Sequence, residues 1–368
     1  VTTTTPENLK ENVPFGSRTT LGVGGRARWG AQVQNIEELQ AVLQWARDQS
    51  IAWRVLGEGS NTLVSDDGYD GLLIEWSPDS FGFEERGDFV ECDADAGLNW
   101  DRLVEAAVAR EAAGIECLSG IPGTIGAAPI QNIGAYGQEL SDVAVAVRVW
   151  DCLLGRETTI PARACAFRYR SSRFKTEDAG RFIVLSLKLR LRAGGAPTLK
   201  YQDLRDEFVA AGRTPSLGEV RNRVLSIRAS KSMVLDDADS ESRSAGSFFV
   251  NPVVGQSEAQ RIAAIAIKNG VGTEVPMYEM GAGRAKIPAA WLIERAGIEK
   301  GFALGAAHIS QKHTLAIVAD EGAKAEDVVD LARHVRATVR DFWGVELTPE
   351  PGFVGFRQSV SELLEQRA

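Results

Sequence analysis

Histidine is scarce in this 368-residue chain: His308, His313 and His334 are all it has. The four cysteines, Cys92, Cys117, Cys152 and Cys165, show no metal-like pair spacing. Both shortages argue against a metal site, and the cysteines read as reduced structural thiols of a cytoplasmic protein. No apolar run approaches the roughly 20 residues of a membrane-crossing helix. Positive charge is in deficit, with 41 Lys and Arg against 50 Asp and Glu for a net charge of -9. That balance argues against a general nucleic-acid-binding surface, although local basic pockets stay open. The first residues, Val1 to Pro6, are polar and Thr-rich, without the charged-then-apolar pattern of a signal peptide.

What is present is ordinary for a soluble globular chain, with 44% hydrophobic and 25% charged residues. The length predicts two or three domains. Phe15 to Gly25 is glycine-rich, but no strand precedes it and no helix pattern follows, so it reads as a turn into an edge strand at Ala27–Val33. Ile36, Leu39, Val42, Leu43 and Ala46 predict a helix from Ile36 to Gln49, capped by Asn35 with Glu38 three residues on. A strand at Trp53–Leu56 runs into Gly57-Glu58-Gly59-Ser60-Asn61, where two glycines allow a tight turn. The alternatives there are a plain turn or a nest of N–H groups for a phosphate. Asp66-Asp67-Gly68 then reads as a hairpin turn, with Gly71–Trp76 as the return strand.

Residues 77–97 read as a polar linker and meander, and Leu98–Ala113 as a helix capped by Asn99 and ended by Gly114. Gly120 to Gly137 contains no charged residue and is dense in Gly, Ala and Pro. It carries Gln131, Asn132 and Tyr136, which is long and polar for a buried turn, and a cofactor cradle is the favoured reading. Ser141–Leu153 and Arg181–Arg192 alternate as strands. Between them, Phe167 to Lys175 interleaves Arg and Lys with aromatics, either as an exposed ribbon or to aim an Arg at a substrate anion. Residues 193–219 look like an insertion around Tyr201. A helix at Val220–Arg228 and a polar loop through Lys231 lead to Ser247.

Gly246-Ser247-Phe248-Phe249-Val250-Asn251-Pro252 presses one hydroxyl into an apolar surround, where it must find a partner or do work. The chain beyond reads as a separate α/β or α+β domain, with helices near Glu258–Lys268, Pro288–Ala296 and Ala325–Trp343 and a strand at Leu315–Ala319. Ser310-Gln311-Lys312-His313 precedes that strand. Glu350 lies between Pro349 and Pro351, and Ser359–Ala368 reads as a polar helical tail.

Taken together, these motifs resemble the UDP-N-acetylenolpyruvoylglucosamine reductase (MurB) family of flavoenzymes, in the branch with an extra tyrosine loop. The resemblance rests on Gly57 to Asn61, Ile121-Pro122-Gly123, Pro129 to Gly137, Tyr169-Arg170, Ala245 to Phe249 with Asn251-Pro252, and Pro349-Glu350. It implies an α+β chain in which a two-subdomain FAD-binding fold of the vanillyl-alcohol-oxidase/MurB type is joined to a C-terminal α/β substrate-binding domain. The expected divisions are 1–77 and 78–231 for FAD, with the 193–219 insertion, 232–343 for substrate, and a return segment at 344–368 carrying Glu350. By resemblance, Gly57, Glu58, Gly59, Ser60 and Asn61 hold the FAD pyrophosphate. Ile121, Pro122, Gly123, Gly126, Ile133 and Gly134 run beside the flavin, and Arg228 matches an arginine near it. Gln131, Tyr136, Tyr201, Lys231, Asn251 and Lys312 match substrate positions, with Lys312 and His313 both candidates for the last. Arg170, Ser247 and Glu350 match the catalytic set.

The implied reaction is NADPH-dependent reduction, through FAD, of UDP-N-acetylglucosamine enolpyruvate, in bacterial peptidoglycan precursor synthesis. A cytoplasmic monomer with no nucleic-acid or membrane partner is expected. Two departures stand out: Ala127-Ala128 replace the family's usual polar pair, and Pro351-Gly352 follow Glu350 where Val-Arg is common. An FAD-linked oxidase would carry an attachment His or Cys near the cradle, and Gly120–Gly137 has neither. A non-catalytic nucleotide-sugar-binding regulator would lack Arg170, Ser247 or Glu350, and all three are present.

Overall fold

The computed structural model describes residues 5–365 apart from 211 and 273. Residues 1–4 of the Thr-rich start and 366–368 of the expected tail lie outside the described residues. The chain separates into two compact units. The first contains 1–13, 27–59 and 70–234; the second contains 14–26, 60–69 and 235–368. Among the described residues no helix is long and apolar enough to cross a membrane.

In the first unit, helix Ile36–Asp48 starts where a local cap dictates. The Asn35 side chain accepts the Glu38 N–H at 2.9 Å, and Glu38 reaches back to the Gln34 N–H at 2.8 Å. Such a cap contributes about 1 kcal/mol. Leu39, Val42, Leu43 and Ala46 are buried in one cluster with Leu72 and Ile74 of strand Tyr69–Trp76. The sheet order is Leu9–Pro14, Arg26–Val33, Tyr69–Trp76, Trp53–Val55. Two expectations are corrected here. The strand expected at the edge, 27–33, is internal, because Leu9–Pro14 pairs outside it; that edge strand is mostly exposed and shows no apolar alternation. The expected hairpin at Asp66–Gly68 is absent. Tyr69–Trp76 pairs in parallel with Trp53–Val55, and Thr62–Val64 pairs in parallel with Gly352–Val354.

The second sheet of this unit runs Arg156–Pro161, Ala144–Asp151, Phe182–Ala193, Phe89–Asp95, Phe81–Arg86. The expected meander at 77–97 is thus a hairpin of the last two strands. Leu187 and Leu189 are fully buried opposite Ala94 and Cys92, as strand alternation requires. The other face is wet: Asp93, Arg148 and Lys188 line a cavity of about 560 Å³ that holds none of the expected site residues. Helix Trp100–Ala109 is capped by Asn99, which accepts the Arg102 N–H at 3.1 Å. It ends earlier than the sequence suggests. Glu111 takes a positive φ of 54°, and Ala112–Ala113 leave the helix to pair with Arg192–Ala193. Helix Leu217–Ala229 is longer than expected, because a Ser216/Glu219 capping box starts it.

In the second unit, helix Ala325–Trp343 buries Val328, Val335, Val339 and Trp343 in a cluster that includes Leu21, Val23, Leu63, Phe248 and Phe249. Its N-terminal N–H groups find a distant acceptor: Asp66 takes those of Ala325 and Glu326 at 2.8 and 3.1 Å. Gly344 closes the helix at φ 65°, with its N–H on the Arg340 carbonyl at 2.7 Å. The other expected helices are Gln256–Lys268 and Ala289–Arg295, and the expected strand is Ile317–Ala319. The described part of the tail holds only a short helix, Val360–Leu363.

Candidate active site

The glycine loop and the uncharged stretch, both in the first unit, are tied together by one carboxylate. Glu58 accepts the Gly123 N–H at 2.9 Å and the Asn99 side-chain amide at 2.7 Å. A Cβ on Gly57 would lie 2.6 Å from the Thr124 hydroxyl, so any larger residue must displace that side chain or the loop. Gly59 turns at φ 68°. The backbone N–H groups of Gly57, Glu58 and Gly59 donate to no acceptor among the described residues. Consecutive donors on a glycine turn suit the oxygens of a phosphate, so the loop fits a phosphate-bearing cofactor. Glu58 itself faces protein groups. Ser60 and Asn61, the rest of the expected nest, belong to the second unit.

The uncharged stretch is a series of pinned turns. Gly120 donates to Asp101 at 2.6 Å and accepts from Arg228 Nε at 3.1 Å. Asp101 is also held by Arg221, at 2.6 and 2.8 Å. Burial opposes the charge on Asp101 most, but the Arg221 and Gly120 bonds win and hold its carboxyl below the usual range. Ile121 packs against the sheet core, and Gly123 turns at φ 117°. Pro122 follows Ile121 and is half-buried. Gly126 donates to the Ala96 carbonyl at 2.8 Å, and Ile133, buried, donates to Ala128 at 3.1 Å. Gln131 accepts from Lys175 at 3.4 Å. Asn132 is buried at φ 49° and bonds Glu139, the Arg168 carbonyl and the Ser141 N–H.

Arg170 stands at φ 52° in a turn closed by reciprocal backbone bonds between Arg168 and Ser171. A non-glycine residue there costs roughly 1–3 kcal/mol of strain. Its Nη2 donates to the Gly134 carbonyl at 2.7 Å, which aims the guanidinium at the end of the uncharged stretch. Arg228 is buried; desolvation pushes its guanidinium down, opposed by charges of Tyr136 and Asp101. It also donates to the Met233 carbonyl at 2.7 Å and bonds the Tyr136 side chain. Tyr136 packs edge-on against Tyr201, ring centroids 5.1 Å apart, so the insertion reaches this cluster. Lys231, half-buried, follows the same helix and donates its backbone N–H to Arg228 at 3.1 Å.

The expected hydroxyl and acid, Ser247 and Glu350, belong to the second unit. Phe248 and Phe249 are buried, with ring centroids 5.2 Å apart, and Phe248 also meets Phe353 at 6.3 Å. Between them and Gly246, at φ 68°, Ser247 is half-buried, and among the described residues its hydroxyl has no hydrogen-bond partner. Phe248 donates to Leu315 at 2.7 Å and accepts from Glu350 at 2.8 Å. Asn61 joins this group: it accepts the Gly352 N–H at 2.9 Å, and its side chain donates to the Glu350 carbonyl at 3.4 Å. Pro351-Gly352 therefore lead Glu350 directly into the strand that pairs with Thr62–Val64. The Ser60 carbonyl accepts from Thr20 at 3.5 Å. Asn251 caps helix Ala289–Arg295 through the Ala289 N–H at 2.8 Å, and Lys312 is paired with Asp239 at 2.9 Å.

Two positioning groups were not foreseen: the Asp101–Arg221 pair and Thr124. Asp101 looks like an ordinary first-turn acid of its helix, and its partner lies far along the chain, so only a spatial signal finds it. The cysteines are inert by burial, which raises Cys92 and Cys152 to about 12 and Cys165 to about 11.

Residues 238–354 match the family model for the C-terminal domain of UDP-N-acetylenolpyruvoylglucosamine reductase, and residues 30–159 match an FAD binding domain model. The UDP-N-acetylenolpyruvoylglucosamine reductase of Thermobifida fusca is 42% identical over 357 residues, covering 95% of this chain and 98% of that protein. That of Nocardia farcinica is 41% identical over 358 residues, covering 96% and 91%. Among solved structures, UDP-N-acetylenolpyruvylglucosamine reductase (MurB) from Thermus caldophilus superposes with a TM-score of 0.62 at 25% identity, covering 94% of this chain and 99% of that one.

Proposed function

The chain belongs to the UDP-N-acetylenolpyruvoylglucosamine reductase family, and on that basis we propose that it reduces UDP-N-acetylglucosamine enolpyruvate to UDP-N-acetylmuramate, with NADPH as reductant and FAD as cofactor, in peptidoglycan precursor synthesis. The observation that carries the reading is the Ser247 hydroxyl: it has no hydrogen-bond partner among the described residues, directly precedes two buried phenylalanines, and lies in a segment pinned beside Glu350.

Gly57, Glu58, Gly59, Ser60 and Asn61 take the cofactor's pyrophosphate. Ile121, Pro122, Gly123, Gly126, Ile133 and Gly134 would line its flavin, and Arg228 would balance negative charge there. The chemistry a bound FAD would supply is a hydride, originating from NADPH, for the substrate's C3. The substrate's carboxylate makes C3 the electron-poor end of the alkene, so negative charge grows on C2 and the carboxylate. Arg170 binds that charge, an interaction that strengthens towards the transition state. Glu350 is the acidic partner at the developing enolate, to which a protonated carboxyl would donate a hydrogen bond. Ser247 gives its hydroxyl proton to C2 and recovers one from solvent. A serine is acidic enough only against a strongly basic carbanion and with close positioning. Tyr201, Lys231 and Asn251 hold the diphosphate and sugar, and Gln131, Tyr136 and Lys312 are further substrate contacts.

In this reading 1–77 and 78–231 serve the cofactor, 232–343 serves the substrate, and 344–368 returns Glu350. The protein works as a monomer in the bacterial cytoplasm, with no nucleic-acid or membrane partner. A half-reaction assay tests the function. NADPH bleaches the yellow protein, and the enolpyruvyl sugar nucleotide restores the colour. Failure to bind flavin, or bleaching that the sugar nucleotide does not reverse, overturns it.

A further inference from the structure

The segment leading to Ser247 carries acids that this chemistry does not use. Glu241 is one, with a side chain only 12% exposed. Its carboxylate faces three donors from one turn: His308 Nε2 at 2.9 Å, the Ser310 hydroxyl at 2.6 Å and the Gln311 N–H at 2.8 Å. The other His308 nitrogen lies 2.9 Å from Asp320. Two residues upstream, Asp239 pairs with Lys312 at 2.9 Å, and the Lys312 N–H donates to the Ser310 hydroxyl at 3.1 Å. Ser310 therefore joins Glu241 to the backbone of Lys312.

A buried carboxylate is a costly way to gain stability, because desolvation offsets most of the attraction. What three converging donors do supply is register. Beyond Glu241 the segment is laddered onto the next strand. Arg243 accepts the Ala319 N–H at 3.2 Å, Ser244 bridges Val318, and Phe248 donates to Leu315 at 2.7 Å. Glu241 stands at one end of that ladder and Ser247 near the other, so a slip at the first is passed to the second.

We propose that Glu241 is a positioning residue for the reduction: it locks the 308–312 turn to the segment presenting Ser247, and so keeps Lys312 and Ser247 in register for a nucleoside-diphosphate sugar. The proposal rests on the function assigned above.

The test is stopped-flow on the flavin-loaded full chain, first with NADPH and then with UDP-N-acetylglucosamine enolpyruvate. Glu241→Gln should slow reoxidation about tenfold or more and raise the substrate concentration needed for half-saturation. Bleaching by NADPH should stay within about twofold of the unmodified chain, since that step needs no proton from Ser247. Glu241→Asp should recover part of the loss. Ser310→Ala removes one donor and no charge, and should give a smaller loss of the same kind even if Glu241→Gln does not fold. Unchanged reoxidation, or equal slowing of both half-reactions, overturns the proposal. An unmodified chain that bleaches but is not reoxidised overturns the assigned function instead, which keeps the two failures apart.

Discussion

The backbone N–H of Glu350 donates to the carbonyl of Phe248 at 2.8 Å. A companion bond from Val250 to Thr348, at 2.9 Å, makes the pairing antiparallel about Phe249 and Pro349. Neither bond uses a side chain, so changes at Ser247 or Glu350 leave the pairing intact. Ser247→Ala should therefore keep bleaching by NADPH nearly unchanged and slow reoxidation by about 10²–10⁴-fold. Rapid-mixing absorbance of the flavin separates the two. Equal damage to both would mean that Ser247 is structural.

Glu350 is proposed as a hydrogen-bond donor to a growing negative charge, which separates two substitutions. Glu350→Gln keeps an N–H donor at the same reach and should retain more activity than Glu350→Ala. The alanine variant should lose about 10²–10³ in kcat, the usual cost of one such donor. Equal loss in both would show that the carboxyl acts by some means other than donation.

Gly57→Ala puts a Cβ 2.6 Å from the Thr124 hydroxyl, which pushes the loop away from its partner. Flavin retention should fall, read as a lower ratio of flavin to protein absorbance after gel filtration and a raised FAD dissociation constant. Full retention would mean that the loop's path does not matter for the cofactor.

Asp101 links folding to pH. Its folded-state pKa lies below the unfolded value of about 3.9, so its pairing stabilises the fold above that pH and the contribution fades as pH falls through the lower folded value. Thermal melts of the original chain and Asp101→Asn should differ at neutral pH and converge in acid. A constant gap across that range would show that the lost hydrogen bonds, not the charge, set the difference.

Local chemistry made much of this legible from sequence. Asn35 and Asn99 cap their helices as expected, since a cap needs only its own first turn. The alternation of Leu187, Leu189 and Leu191 reads directly as one buried face of a strand, whereas Ile183 and Leu185, past a register shift against Arg148 and Val149, bury in the other cluster. Leu9–Pro14 was hidden, because an exposed edge strand has no apolar pattern to see. Helix Trp100–Ala109 stops short of Gly114 because Ala112–Ala113 are taken by strand pairing, and tertiary contact overrides propensity there. Within the candidate site, Ser247 and Glu350 stand out by their neighbours. The inward turn of Glu58 onto Gly123 and Asn99, and the hold of Arg221 on Asp101, join residues far apart in the chain and leave no local trace.

The parallel pairing of Thr62–Val64 with Gly352–Val354 bears on how the chain is made. Leu63 leaves the ribosome long before Phe353, the residue opposite it, has been synthesised. Until then Thr62–Val64, with Leu63 and Val64 both bound for the core, has no strand to join, and closing so long a loop makes the step late and slow. The nascent protein passes through a stage in which its second core waits with an open seam. Holdase chaperones should engage it at that stage, and a ribosome stalled just short of Gly352 should carry an incompletely folded chain.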